Sequence, residues 1–566
     1  MTGVVARGSN LQEKNAHLMK FCGYQTQAAA PFPKGRQKRP AEIVTLALSS
    51  ATEHRQQAAT RGIFAAGTIG VVRSSCCCRL SCTMRLILVF PLLTAIALAQ
   101  LPSAPGARVM QLTAEPGFQN EPSIAINPRN PQQLVLAYQS NIAVSYSRDG
   151  GQHWTSANGV SPHDYAVSGD VSITYDTRGH AILCYLAFDQ LGTDQYWGHN
   201  ATRNGVFIRR SLDGGATWEA QAIPVLAYPT RPGIPFEDKP YIVADHTSGP
   251  YTGNLYVGWT EFSLTKSIIL FSRSTDGGLR WSPPIEISSH EGLPRDDNGS
   301  VEGFTGAVAP DGTLYVVWAD GNSIAFTYSR DGGRTFAPSR SIIETAPPYF
   351  QVSGVSRANG FPQIGYGGPP ATARGKSPAG LLYVTWSDYR NGDVDVFCAT
   401  SADEGRTWSR PARVNSDAIH NGADQFFQWL AVDPATGAAN VIFYDRRNDA
   451  ANTKATVVLA RSSDGGKTFV NYAWTPPQEA FDAREDFLGD YTGIAALNGR
   501  VYGVWAEEAQ PLPPPVLNPA PDSDKGSKAA PGSSPAPPVS VAGEQPCPPK
   551  HPHRTVIRVG TAEFLR

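Results

Sequence analysis

The sequence predicts an all-β fold, a β-propeller of four-stranded antiparallel blades, on three observations. A turn of the form S-x-D-G-G-x-T-W/F occurs six times, at Asp149, Asp213, Asp276, Asp331, Asp403 and Asp464, with spacings of 64, 63, 55, 72 and 61 residues. A hydrophobic run recurs in step with it, as LVLAY, LYVGW, LYVVW, LYVTW, VIFYD and VYGVW. Short strand-like runs and Gly-rich turns fill the rest with almost no helical periodicity, the pattern of a propeller or another repeat array. At 566 residues, 41% hydrophobic and 10% aromatic, the chain has the material for a core.

Taken in chain order, the first 83 residues stand apart. They carry 11 Lys/Arg against 3 Asp/Glu, whereas from Gln100 onward there are 36 against 46. At Met84 begins MRLILVFPLLTAIALAQ, with Arg85 as a positive start, an apolar run and an Ala97-Leu98-Ala99 cleavage pattern. Residues 84–99 therefore read as a signal peptide, and 1–83 as a misassigned extension ahead of the true start. The apolar run, about 14 residues, is shorter than the roughly 20 that span a bilayer. The expected product is secreted, extracellular or periplasmic, after cleavage near Ala99, with no membrane span. Cys184, Cys398 and Cys547 remain after cleavage; without a C-x-x-C pair they form no zinc site or disulfide framework, and Cys184 and Cys398 read as buried packing.

The propeller is expected over 107–508. Each unit holds four strands, A to D, clearest in the fourth: FTGAVAP, LYVVW, SIAFTYS, the Asp331 turn, then a short run near Ile343. Seven A strands are visible: PSIAINP, VSITYD, PYIVAD, FTGAVAP, FPQIGYG, FQWLAVD and YTGIAAL. The last unit lacks a D strand of its own, and ARVMQLTA at 107–114 resembles the D runs, so an N-terminal strand is expected to close a seven-bladed ring and remove its open edge. Six blades is the alternative if the terminal unit is not a blade. Residues 509–553 are rich in Pro, Ser, Gly and Ala and read as a disordered insert; 554–566 supplies the late strand of the last blade.

In the repeated turn an Asp accepts backbone N–H groups, the glycines take positive φ, and the closing aromatic buries apolar surface. The pattern resembles the Asp-box, or BNR repeat, of the sialidase superfamily, over roughly 107–510. The resemblance implies that the boxes are structural and lie at the turn from strand C to strand D. It implies as well either a glycosidase of the exo-α-sialidase class or a non-catalytic propeller that binds glycans or proteins. It marks architecture more firmly than activity.

Because strands alternate in direction, the working face is expected opposite the boxes, where A strands start and B strands end. At the A-strand starts stand Glu121, Asp170, Glu237, Asp238, Lys239, Glu302, Asp424, Gln425, Asp490 and Tyr491; at the B-strand ends stand Glu261, Asp320, Asp388, Arg390, Asp445, Arg446, Arg447 and Glu507. Glycoside hydrolysis needs an acid for the leaving oxygen and a nucleophile or base. Sialidases use a Tyr nucleophile and three arginines that clamp the sugar carboxylate. The resemblance thus assigns Tyr491 as nucleophile, Asp490 or Asp238 as acid, and Arg390, Arg446 and Arg447 with Asp388 and Glu121 as substrate-binding residues. The first clamp motif, F/Y-R-I-P, is missing, and Arg231, Arg357 and Arg484 compete for the third arginine. A mouth this acidic repels an anionic substrate and suits a neutral sugar or a carboxylate-held calcium ion at least as well. No cofactor is required for this chemistry; a glycan is the expected partner, and nucleic acid is not. Ion pairing among loop residues is the competing account for any single acid.

Overall fold

The computed structural model describes residues 100–565 apart from 140, 158–159, 161–164, 191–200, 356, 369–379, 484–486 and 510–554. The leader, Cys547, Arg484 and almost all of the Pro-rich insert therefore lie outside the described residues. Seven antiparallel sheets of four strands follow one another in a ring, a seven-bladed β-propeller. The inner strands are Asn120–Ile126, Val167–Tyr175, Phe236–Ala244, Val301–Val308, Gln363–Gly367, Gln425–Val432 and Gly493–Leu497, which begin blades one to seven. Blade six carries an extra short strand, Phe481–Asp482, paired with Lys454–Ser462.

The ring closes as the sequence implies. Arg108–Gln111, from the N-terminal side, lies antiparallel to Thr555–Glu563, with Met110 opposite Val559. Thr555–Glu563 pairs in turn with Arg500–Glu508 of blade seven. The two ends of the described chain thus share one blade, and no blade is left with an unpaired partner edge at the seam.

B strands are buried along almost their whole length because they sit in the middle of blades packed face to face. Trp259, Trp318, Trp386 and Trp505 occupy one equivalent position and are fully buried. Each removes on the order of 200 Å² from water, about 5 kcal/mol before entropy is charged against it. Blades meet through shared apolar clusters, such as Tyr256, Phe271, Phe304 and Trp318 between blades three and four.

All six Ser-x-Asp turns lie between strands C and D and share one geometry. At Asp331, Ser329 Oγ donates to Oδ1 at 2.9 Å, the N–H groups of Arg334 and Thr335 donate to the same oxygen at 2.9 Å each, and Thr335 Oγ1 donates to Oδ2 at 2.6 Å. The second glycine of the turn, Gly333, has φ 77°, and a Cβ there would stand 2.8 Å from Phe271 of the preceding blade. The turn therefore fixes each blade's outer corner and locks it to its neighbour. Its Asp faces away from the mouth formed by A-strand starts and B-strand ends.

Candidate functional site

Side chains reach the mouth through a recurring irregularity. In blades one, two, three, four and six, strand A slips one residue against strand B, between Asn120 and Ser123, Gly169 and Ser172, Asp238 and Tyr241, Glu302 and Thr305, and Phe426 and Trp429. The extra residue is left-handed each time: Glu121 (φ 51°), Asp170 (47°), Lys239 (48°), Gly303 (81°) and Phe427 (52°). For a residue with a Cβ this conformation costs roughly 1–2 kcal/mol, and such bulges re-aim side chains. Here they bring charged residues from consecutive blades toward the ring axis.

Three carboxyl groups from blades one to three form a hydrogen-bonded series, with Asp170 between Glu121 and Asp238. The backbone N–H of Lys239 also donates to Asp170 Oδ2 at 3.1 Å. Burial works against charge on Asp170, but the hydrogen bonds from Asp238 and Glu121 and the Lys239 ammonium outweigh it and hold its carboxyl below the usual range. The flanking groups go the other way. Burial, then the Asp170 charge, pushes Glu121 and Asp238 well above the usual carboxyl range. Glu302, buried and hydrogen-bonded by Ser300 Oγ at 3.0 Å, is pushed up to about 8, mainly by burial. A carboxyl held down thus lies between two pushed up, the kind of separation that acid–base chemistry uses.

The Lys239 ammonium stands 3.8 Å from the centroid of the Tyr491 ring and 4.4 Å from that of Phe361. Tyr491 rests in turn on Trp429, with centroids 5.4 Å apart. Burial and the surrounding carboxylates, Glu121 first, drive the Tyr491 hydroxyl well above its ordinary range. Beside this layer the channel holds a cavity of about 40 Å³ lined by Ser123, Ser172, Lys239, Tyr241, Trp429 and Tyr491 among others, space for two or three waters.

Arg357 ties together two connections between blades. It comes from the segment before blade five, pairs with Asp296 before blade four, and donates to both carboxylate oxygens of Asp490 before blade seven. Asp490 is tied to the carboxyl series as well, its N–H donating to Glu121 Oε1 at 3.2 Å. Asp238, Asp296 and Glu302 bring one oxygen each within 4.8 Å of one another. Calcium takes six to eight oxygens, and Arg357 already neutralises Asp296, so these three side chains alone are a poor cage for that ion.

The residues expected at the mouth therefore separate into two groups. Glu121, Asp238, Asp490 and Tyr491 converge, joined by Asp170, Lys239, Glu302 and Arg357. The B-strand ends do not join them. Asp388 accepts the indole N–H of Trp386 at 3.1 Å and the guanidinium of Arg390 at 2.5 Å. Glu507 accepts that of Trp505 at 2.9 Å, and in blade three Glu237 receives that of Trp259. Arg390 lies over Phe397 at 4.9 Å. Arg447 binds Asp445 at 2.5 Å, Ser416 and Asn471. Arg446 has no exposure and donates to the carbonyls of Ser353 and Asn452, both at 2.8 Å. The three guanidinium groups are thus engaged inside or beside their own blades, apart from the carboxyl series. Asp296 carried no signal in the sequence beyond a polar turn, PRDDNGS, and Arg357 was one of several arginines without a place.

No family model matches the chain. It is 24% identical over 402 residues to a xyloglucanase of a Paenibacillus species, covering 69% of this chain and 31% of that protein. It is 24% identical over 337 residues to a sialidase of Bacteroides fragilis, covering 54% of each. The chain thus spans about a third of one curated relative and about half of the other. Among solved structures it is similar to the leech intramolecular trans-sialidase, at 14% identity and a TM-score of 0.41, over 63% of this chain and 68% of that one. Among the described residues no helix is long and apolar enough to cross a membrane. The curated relatives support a sialidase-like propeller fold for this chain.

Proposed function

We propose that the protein is a secreted, sialidase-like glycoside hydrolase whose chemistry is carried by the carboxyl series at the mouth. The single observation behind this reading is the convergence of Glu121, Asp170 and Asp238 from three consecutive blades, with burial pushing Glu121 and Asp238 up and their hydrogen bonding, with the Lys239 charge, holding Asp170 down. Asp238 would give its proton to the leaving glycosidic oxygen as the C–O bond breaks. The new C–O bond would form to the Tyr491 oxygen or to water, with the released proton going to Asp170. Water would then attack the sugar carbon, its proton passing to Asp238, while the C–O bond to Tyr491 breaks and the Tyr491 oxygen takes back the proton held by Asp170, restoring all three groups. With Arg390, Arg446 and Arg447 engaged elsewhere, a neutral glycoside suits the site better than a sialoside. Export rests on the signal-like segment before Gln100.

The Arg357 ion pairs favour a second reading, a non-catalytic propeller that binds glycans, because they engage both Asp490 and Asp296. Hydrolysis of fluorogenic neutral and sialyl glycosides by the purified protein separates the two. Turnover that is lost in Asp238→Asn and in Asp170→Asn, with melting behaviour unchanged, carries the first reading. Glycan binding without turnover across both panels carries the second.

A further inference from the structure

The fold takes hold of the chain at Leu101. Gln100 is exposed, whereas Leu101 packs against the apolar cluster that includes Val441 and Val458, and Ala104 is buried in the cluster of Trp474 and Trp505. Between these anchors the backbone joins two blades. The N–H of Ala473 in blade six donates to the Pro102 carbonyl at 2.9 Å, Ser103 pairs in parallel with Ala473, and the N–H of Glu563 in blade seven donates to the Pro105 carbonyl at 2.8 Å. Residues 101–105 thus lie on the edge of Val470–Ala473, the last strand of blade six, and keep that edge from being open. A cut just before Gln100 removes none of these contacts, and the Ala97-Leu98-Ala99 pattern directs a cut there.

Export with cleavage at that bond leaves Gln100 as the first residue, exposed, with a free α-amine and its own side-chain amide within reach of ring closure. We propose that Gln100 is a modification site, converted to a pyroglutamyl terminus. The α-nitrogen attacks the side-chain amide carbon, and the new C–N bond closes a lactam. The bond from that carbon to the amide nitrogen breaks, and the amide nitrogen leaves as ammonia with the proton that the amine gives up. Attack within one residue is favoured by proximity, and no oxidant or other reactant is consumed. The product has no terminal charge, which suits a chain end next to the apolar seat of Leu101. It also denies exopeptidases the free α-amine they need to start on the segment that ties blade six to blade seven. This rests on export of the chain and not on what the mouth does.

Mass spectrometry of the intact exported protein tests it. The chain from Met84 onward, which contains every described residue, is secreted by a bacterial host and purified without digestion. The expected mass is that of residues 100–566 less one ammonia. Edman degradation should give no sequence until pyroglutamyl aminopeptidase is added, and should then read Leu-Pro-Ser-Ala-Pro. Gln100→Ser has no amide to close on; it should show no loss of ammonia and an open sequence beginning at the serine, with unchanged melting because the side chain at 100 is exposed. A mature chain that starts at Gln100 with a free amine, or with a different block, overturns the inference and leaves export standing. A chain retained inside the cell, or one that starts at another residue, overturns both.

Discussion

Arg357 donates to both carboxylate oxygens of Asp490, joining the segment before blade five to the one before blade seven across the mouth. Both side chains are largely buried, 14% and 10% exposed, so neither charge can easily be rehydrated if the other is lost. Removing one member of a buried pair costs about 3–5 kcal/mol. Arg357→Met should lower stability by about that amount in urea unfolding, and Arg357→Met with Asp490→Asn should recover part of it. Additive losses would mean that the two side chains are not coupled.

The repeated turns predict a different phenotype. Asp331→Ala removes an acceptor that serves two backbone N–H groups and two hydroxyls. Water can reach part of this turn, so the expected loss is modest, about 1–2 kcal/mol. Glycan binding and turnover measured at a temperature where the variant is folded should equal those of the wild type. Loss of function without loss of stability would place the chemistry on the wrong face.

The seam of the ring predicts an aggregation phenotype. Met110 pairs with Val559 in the strand that closes blade seven, and a proline there removes a ladder donor and fits poorly in a paired strand. Met110→Pro should lower the melting temperature and raise the apparent size in light scattering by freeing the edge of Thr555–Glu563. A monodisperse variant with unchanged melting would show that closure contributes little.

How much of this was legible depends on what repeats. The period of the Asp turns and the seven A strands specified blade number, strand order and even the seam, because every blade needs the same corner and the same inner strand. The mouth was legible only as a set of positions. Acids at B-strand ends look like those at A-strand starts in sequence, but the structure gives Asp388 and Glu507 to indole N–H groups of buried tryptophans, a task set by the Trp two residues earlier. Asp170 appeared as one acid among many because its value lies in standing between Glu121 and Asp238, which are distant in the chain. Asp296 and Arg357 lie in connections between blades, where no periodicity fixes a position.

The carboxyl groups make stability depend on pH with two opposite signs. Glu302, pushed up to about 8, together with Glu121 and Asp238, binds protons more tightly when folded, so its contribution is full below the ordinary carboxyl range and is lost as pH rises through about 8. Asp149, Asp331 and Asp403, each brought down to about 2 by the hydrogen bonds of their turns against some burial in Asp331, contribute above the ordinary range and lose it as pH falls toward 2. Thermal melts should therefore peak in mildly acidic solution and decline toward pH 9. Glu302→Gln should flatten the alkaline decline and leave the acidic one unchanged; an equal slope in both proteins would remove Glu302 from the account.

Gly489 links backbone geometry to the carboxyl series. Its φ is 91°, and a Cβ added there would stand 2.5 Å from Glu121 Cγ and 2.8 Å from the Glu121 nitrogen. Neither neighbour can yield easily: the Glu121 backbone is fixed by its bulge, and its Oε1 is held by the N–H of Asp490. Gly489→Ala is expected to cost more than the roughly 1 kcal/mol of an ordinary glycine replacement and to displace Glu121 from Asp170. Asp170 would then lose one of the interactions that hold its carboxyl below the usual range, and the acidic limb of any pH–activity profile should move to higher pH. Glu121→Gln, which keeps a donor toward Asp170 and clears no space, should leave that limb nearly in place. The contrast between the two variants separates displacement of Glu121 from loss of its carboxyl.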